Sequence, residues 1–173
     1  MRAPIALLIG IPQYARMLNL DSMDIRLLSA LQKAGQTSAA DLSKQLGLSA
    51  SQIGRRRLRL EQEGFIDHVA FRLNPKVLGL SVQAFIQIQT DAQTGATHHS
   101  ILELVNSQPE IVAAWTLTGE ADYIFRVFCP GLPDLNDLIQ NTLLPHPSIG
   151  RVQSQVVMGE LLDDTALPLD HLT

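Results

Sequence analysis

The chain has 173 residues, 46% apolar and 17% charged, which suits one large or two small packed domains and is too apolar for a disordered chain. Its single cysteine, Cys129, excludes an internal disulfide framework and an all-cysteine zinc site. The net charge of −4 is unevenly placed: residues 21–75 hold eight Lys/Arg against six acids, whereas residues 76–173 hold three against eleven. One half can therefore meet a polyanion while the other repels it, which points to two domains with different partners.

Residues 1–19 open with an apolar run, Pro4–Ile11, about half the length a membrane-spanning helix needs. Met1-Arg2 is a thin basic start and Pro12-Gln13-Tyr14 is no small-residue cleavage site, so a signal peptide is not expected. The expected location is the cytoplasm, with no membrane partner. Three short helical patterns follow. The first opens at Asp21 with Asp24 in its first turn, repeats Met23, Leu27, Leu28 and Leu31 at helical spacing, and ends at Gly35. The second is capped by Ser38, buries Ala39, Leu42 and Leu46 on one face, and breaks at Gly47. Ser49 caps the third, Ala50 to Glu63, with Ile53 and Leu60 inward and a stop at Gly64.

Helix, glycine turn, capped helix is the helix-turn-helix pattern, whose second helix enters the major groove of double-stranded DNA. Ser49, Ser51 and Gln52 become candidates for base or phosphate contact, and Arg55, Arg56 and Arg59 for phosphate pairing. Arg57 stands where an apolar residue is expected, so its stem packs inward while its head reaches water. Phe65–Leu73 reads as a strand-like wing that brings Arg72 near a neighbouring phosphate.

Beyond Asn74-Pro75 the period changes. Ser81–Thr90 reads as a strand, Thr97–Asn106 as a helix, Ile111–Thr118 and Ala121–Cys129 as strands joined by a Gly119-Glu120 hairpin, Pro133–Leu144 as a helix, and Val152–Met158 as a strand. The order β-α-β-β-α-β is the ferredoxin-like split unit, an antiparallel sheet with both helices on one face. The other face needs a cover, and a second copy of the sheet is the simplest one, so at least a homodimer is expected. The fold class is thus α+β: an N-terminal winged helix-turn-helix followed by a ferredoxin-like sandwich.

No glycine-rich phosphate loop, paired-histidine helix or nucleophile elbow occurs, and neither cofactor nor catalytic nor metal residues are expected. His98 and His99 are adjacent, about 100° apart on a helix, and read as surface residues. Cys129 reads as core, and Trp115 as packed at the sheet or a dimer interface.

Set side by side, Leu20–Leu28, Asp41–Ser49, Leu60–Ile66, Asn74-Pro75 with Leu78-Gly79, Gly119–Tyr123 and Val156–Met158 resemble the successive motifs of the Lrp/AsnC family, in order and at matching spacing. The resemblance implies a transcriptional regulator: a winged helix-turn-helix over 20–74, a linker over 75–80, a ligand-binding and oligomerising domain (the Lrp-type, or RAM, domain) over 81–160, and a tail over 161–173. It also implies assembly from dimers, up to octamers, and an amino-acid or related effector bound between subunits near the glycine hairpin. Carried onto this chain, that marks Thr116, Thr118, Gly119, Glu120, Asp122 and Ser154. Backbone N–H groups at the turn would take the effector's carboxylate, and Asp122 or Glu120 its ammonium. The chain departs from the family's pattern in Glu120, where many relatives have aspartate, and in Gly54, which costs the third helix about 1 kcal/mol relative to Ala. Residues 1–19 precede the family's start and are expected to be a dispensable extension. Two alternatives stand beside the regulator: a sirohaem-decarboxylase-like enzyme on the same plan, and a ligand-binding module whose winged helix makes only protein contacts.

Overall fold

The computed structural model describes residues 19–33, 38–162, 165–169 and 172. The Pro4–Ile11 run, the rest of the N-terminal extension through residue 18 and the helix stop at Gly35 lie outside the described residues. Two compact units form, one of residues 1–71 together with 162–173, the other of residues 72–161.

The first unit contains helices α1 (Ser22–Lys33), α2 (Ala39–Leu46) and α3 (Ala50–Gln62). Helix α2 begins where the Ser38 side chain accepts from the Asp41 N–H, and ends where Gly47 takes φ 68°, a left-handed value that glycine adopts without the Cβ penalty. Helix α3 begins with a full capping box: Ser49 accepts from the Gln52 N–H, and the Gln52 side chain accepts from the Ser49 N–H at 2.9 Å. Leu27, Leu28, Ala30, Leu42, Leu46, Ile53 and Leu60 make the core, with Met23 and Leu31 partly buried against it; Ala39, expected on the buried face of α2, is exposed, and Ala30 is buried in addition. Phe65 and Ile66 pack against it, but the strand expected over Phe65–Leu73 does not form. Residues 67–74 take no regular secondary structure and are exposed; no described strand offers that segment a ladder, and an unpaired strand leaves its backbone to water.

The second unit follows a turn in which the Asn74 side chain accepts from the Lys76 and Val77 N–H groups. Its elements are β1 (Val82–Thr90), α4 (Gly95–Ser107), β2 (Ile111–Thr116), β3 (Tyr123–Cys129), α5 (Leu132–Asp137, continuing as a π-helical stretch over Leu138–Leu143) and β4 (Ile149–Val156). The sheet is antiparallel with order β2-β3-β1-β4, so β2 and β4 flank a central β1–β3 pair. Ala84, Ile86 and Ile88 of β1 and Phe125, Val127 and Cys129 of β3 are fully buried and form one core with Ile101, Leu104, Leu135, Leu138 and Leu143. Alternate residues, among them Phe85, Gln87, Ile124 and Arg126, line the opposite face.

Several boundaries differ from the sequence reading, the starts of α4 at Gly95 and of β3 at Tyr123 among them. Strand β4 starts at Ile149 and ends at Val156 rather than running from Val152 to Met158. Ile149 is buried in a stretch otherwise polar and Met158 is almost wholly exposed, which hides the true start from a search for alternation. Strand β2 stops at Thr116, leaving Thr118 in the connection. The last helix widens after Asp137, with the Leu144 N–H bonding to the Ile139 carbonyl five residues back. A π turn brings residues five apart towards one face, and here both Leu138 and Leu143 are buried.

Candidate nucleic-acid interface and ligand hairpin

Asp24 organises the first unit. It is fully buried, three and four residues before Leu27 and Leu28 on the same helix face. Its Oδ1 accepts from Arg56 Nη1 at 2.6 Å and its Oδ2 from Arg59 Nη2, while Arg56 Nη1 also donates to Asp21 Oδ2 at 2.6 Å. Asp21 and Asp24 cap each other across the first turn of α1, each backbone N–H donating to the other's carboxylate. Burial pushes the Asp21 carboxyl up, but the Arg56 hydrogen bond and the backbone N–H groups outweigh it and hold the group below its usual range. Hydrogen bonds from Arg56 to Asp21 and Asp24 raise the guanidinium further. The arrangement fastens α3 to α1.

This changes the reading of the arginine cluster. Arg56 and Arg59, expected to face phosphates, are turned towards α1, with 25% and 39% of their side chains exposed. Arg57 pairs with Glu61 one turn on, at 2.8 Å. Arg55 is exposed and, among the described residues, makes no ion pair. Ser51 and Gln52 are exposed at the start of α3; Gln52 Oε1 serves the cap, while its Nε2 is not used there. Ser49 Oγ likewise serves the cap. Arg72 is exposed in the irregular segment that follows α3.

In the second unit, Asp122 is the anchor of the hairpin. Its Oδ2 accepts from the Thr90 N–H at 2.7 Å and the Thr90 hydroxyl at 2.8 Å, and its Oδ1 from Gln93 Nε2. The Thr90 N–H and hydroxyl bonds hold its carboxyl below the usual range against the opposing effect of burial. The Asp122 N–H donates to the Ile88 carbonyl and the Leu117 N–H to the Asp122 carbonyl, which closes the connection. Gly119, at φ 122°, makes the turn that L side chains rarely adopt. Next to it, a shallow groove is lined by Gln87, Gln89, Glu120, Arg151 and Gln153, with Arg151 Nη1 3.4 Å from Glu120 Oε1 and Gln89 Nε2 donating to the Glu120 carbonyl.

The structure thus brings Glu120 into the groove and places Thr118 and Gly119 beside it in the connection. Thr116 and Ser154 are not brought there. Thr116 is opposite Tyr123 and Ser154 opposite Ile86, the register of the helix-covered face, whereas Gln153 is opposite Gln87 on the other face. Arg151 and the three glutamines were missed by the sequence reading; their signal is a polar run at alternate positions, Gln87 and Gln89 on β1 and Arg151 and Gln153 on β4. His98 is corrected too. It is half-buried, its ring stacked on Tyr123 at 6.1 Å with Nδ1 3.2 Å from the hydroxyl, and only His99 is exposed. Burial, with Asp122 adjacent, pushes the Tyr123 hydroxyl up. Trp115 is 48% exposed and Cys129 is buried.

Comparison with known proteins agrees with this layout. Residues 20–61 match the AsnC-type helix-turn-helix domain and residues 83–167 the Lrp/AsnC ligand binding domain. The chain is 30% identical over 153 residues to the Bkd operon transcriptional regulator of Pseudomonas aeruginosa, covering 88% of this chain and 100% of that one. It is 31% identical to the leucine-responsive regulatory protein of Escherichia coli, covering 86% and 91%. Among solved structures, a transcriptional regulator from Neisseria meningitidis in complex with L-Met superposes with a TM-score of 0.85 at 32% identity, over 89% of this chain and 99% of that one. The chain belongs to the Lrp/AsnC family of transcriptional regulators.

Proposed function

We propose that this regulator binds double-stranded DNA with α3 in the major groove and adjusts that binding to an amino acid held beside the Gly119 hairpin. The observation that carries the reading is the α2–Gly47–α3 geometry, with a fully formed cap presenting Ser51, Gln52 and Arg55 on the exposed start of α3. Arg55 is the principal phosphate contact. Arg56 uses only Nη1 on its two carboxylates, so its other N–H groups serve a phosphate while it keeps α3 in place. Arg59 and Ser49 act mainly as positioning residues, and Arg72 adds a peripheral phosphate contact.

For the effector, support comes from the groove and from the L-Met bound by the Neisseria relative. Glu120 takes the ammonium and Arg151 the carboxylate, with Thr118 and the Gly119 turn beside them. Asp122, whose oxygens already accept three hydrogen bonds, holds the turn rather than the ligand. Thr116 and Ser154 support the strand ends that frame it. The uncovered sheet face, with Phe85, Ile124 and Trp115, takes a second copy, giving a homodimer and, from dimers, an octamer. The protein acts by binding and not by catalysis, in the cytoplasm; among the described residues no helix is long and apolar enough to cross a membrane.

The test is binding to duplex DNA from upstream of its own gene at two salt concentrations, with and without mixed amino acids. We expect binding that weakens with salt, and a salt slope reduced by about one in Arg55→Ala. Salt-independent or absent binding would discard the DNA interface. Binding untouched by any amino acid would leave the hairpin structural.

A further inference from the structure

The end of the chain returns to its first unit and docks there as a short peptide. Gln32, on the last turn of α1, accepts the Leu167 N–H on Oε1 at 2.7 Å and donates from Nε2 to the Leu167 carbonyl at 3.4 Å, so one side-chain amide reads both backbone groups of one residue. Pro168 disfavours a helical backbone at Leu167, which keeps both groups out of a helix's own hydrogen bonds. The Leu167 side chain takes no part and is 73% exposed. Leu169, two residues on, is half-buried against the core shared by α1, α2 and α3, and a turn closed by the Leu172 N–H on the Leu169 carbonyl follows.

Main-chain hydrogen bonds for affinity and a seat for an alternate side chain for selectivity are how a protein surface takes a peptide. Here the seat adjoins the helix that places α3. Helix α1 has 12 residues, about 18 Å of stiff rod, with Gln32 near one end and Asp24 near the other. Asp24 holds Arg56 and Arg59 of α3. We propose that α1 and the core beside it form a docking site for the chain's own C-terminal segment, and that filling this site holds α1, and through Asp24 the seat of α3, in the DNA-reading position. The proposal rests on α3 as the helix that reads DNA. Gln32 and Leu169 are positioning residues: they set how well α3 is held and add no phosphate contact, so emptying the site lowers affinity without changing the salt slope.

The experiment uses the full chain and three variants: Gln32→Ala, Leu169→Ala and, as a control, Leu167→Ala. Hydrogen exchange reads the docking. The amide of residue 167 should exchange slowly in the parent and in Leu167→Ala, and fast in Gln32→Ala and Leu169→Ala. Anisotropy with a labelled duplex from upstream of its own gene reads the positioning. Gln32→Ala and Leu169→Ala should bind about fivefold more weakly, by the same factor at low and at high salt, and Leu167→Ala should match the parent. A synthetic peptide of residues 162–173, added in excess, should bring Leu169→Ala back towards the parent, whereas the same peptide carrying Leu169→Ala should not. Equal exchange at residue 167 in the parent and Gln32→Ala overturns the docking. Parent-like affinity in Gln32→Ala and Leu169→Ala, a changed salt slope, or no rescue by the peptide overturns the positioning role. Absent binding by the parent overturns this proposal together with the DNA reading of α3. Gln32→Ala removes no apolar contact, so it decides the matter even if Leu169→Ala folds poorly.

Discussion

In the first unit the carboxylate of Asp24 is met by two guanidinium groups, whereas in the second the carboxylate of Asp122 is met by a backbone N–H, a hydroxyl and an amide. Each joins elements far apart in sequence, α1 to α3 in one case and the hairpin to the end of β1 in the other. The difference lies in what is left over. Around Asp24 the charges of Asp21, Arg56 and Arg59 balance, so a cluster of arginines contributes little free positive charge. Around Asp122 no cation among the described residues cancels the charge, and the hydrogen bonds that hold the carboxylate come from neutral donors. A basic run is therefore a poor measure of attraction for DNA until the carboxylates facing it are known.

The comparison can be broken from either side. Phe125→Ala should have the largest effect, about 3–5 kcal/mol lost from the second unit, because it empties the centre of β3. Two transitions in a calorimeter, with only one moved, would show that the units unfold separately; a single shared shift would refute that. Asp24→Asn should cost the first unit about 2 kcal/mol, since two charge-assisted hydrogen bonds go but both arginines can reach water. A loss below measurement would mean that α3 is held by packing alone. Asp122→Asn should cost about 1 kcal/mol and should alter the acid limb. The Asp122 carboxyl is depressed in the folded state, so its contribution is complete above the ordinary carboxylate range near 3.9 and is lost as pH falls through the folded value. The Asn variant should therefore lose less stability between about pH 5 and pH 2 than the parent; parallel curves would show that Asp122 is not the group responsible. Gly54→Ala is the smallest change. Nothing lies within 4 Å of its added Cβ, so α3 should gain about 1 kcal/mol. If DNA backbone approaches α3 closely there, affinity falls while stability rises, which sharpens the docking of that helix.

Much of this was legible in the sequence because the signals are local. Ser38 and Ser49 each bond within three residues, and Gly47 needs only its own φ. The alternation in β1 and β3 places their cores without reference to other strands. What escaped is non-local. Asp24 read as a first-turn acid, although its spacing to Leu27 and Leu28 puts it on the buried face; nothing near it in sequence names Arg56 and Arg59 as partners. Ser154 is marked by the resemblance alone; a strand shows alternate residues to opposite faces, and only the pairing with Ile86 shows that its side chain is on the face opposite Gln153. The docking of Leu167 on Gln32 joins residues 135 apart and leaves no periodic trace.

One buried residue has practical weight. Cys129 lies at the end of β3 with no exposed surface, and burial, reinforced by Glu110 and Asp134, pushes its thiol up and away from the reactive thiolate. A maleimide or spin label offered to the native fold should therefore pass it by. A single cysteine introduced at an exposed position, such as Leu167 or Thr118, becomes the only addressable sulfur in the chain, so the two units can be labelled one at a time without first mutating the natural thiol.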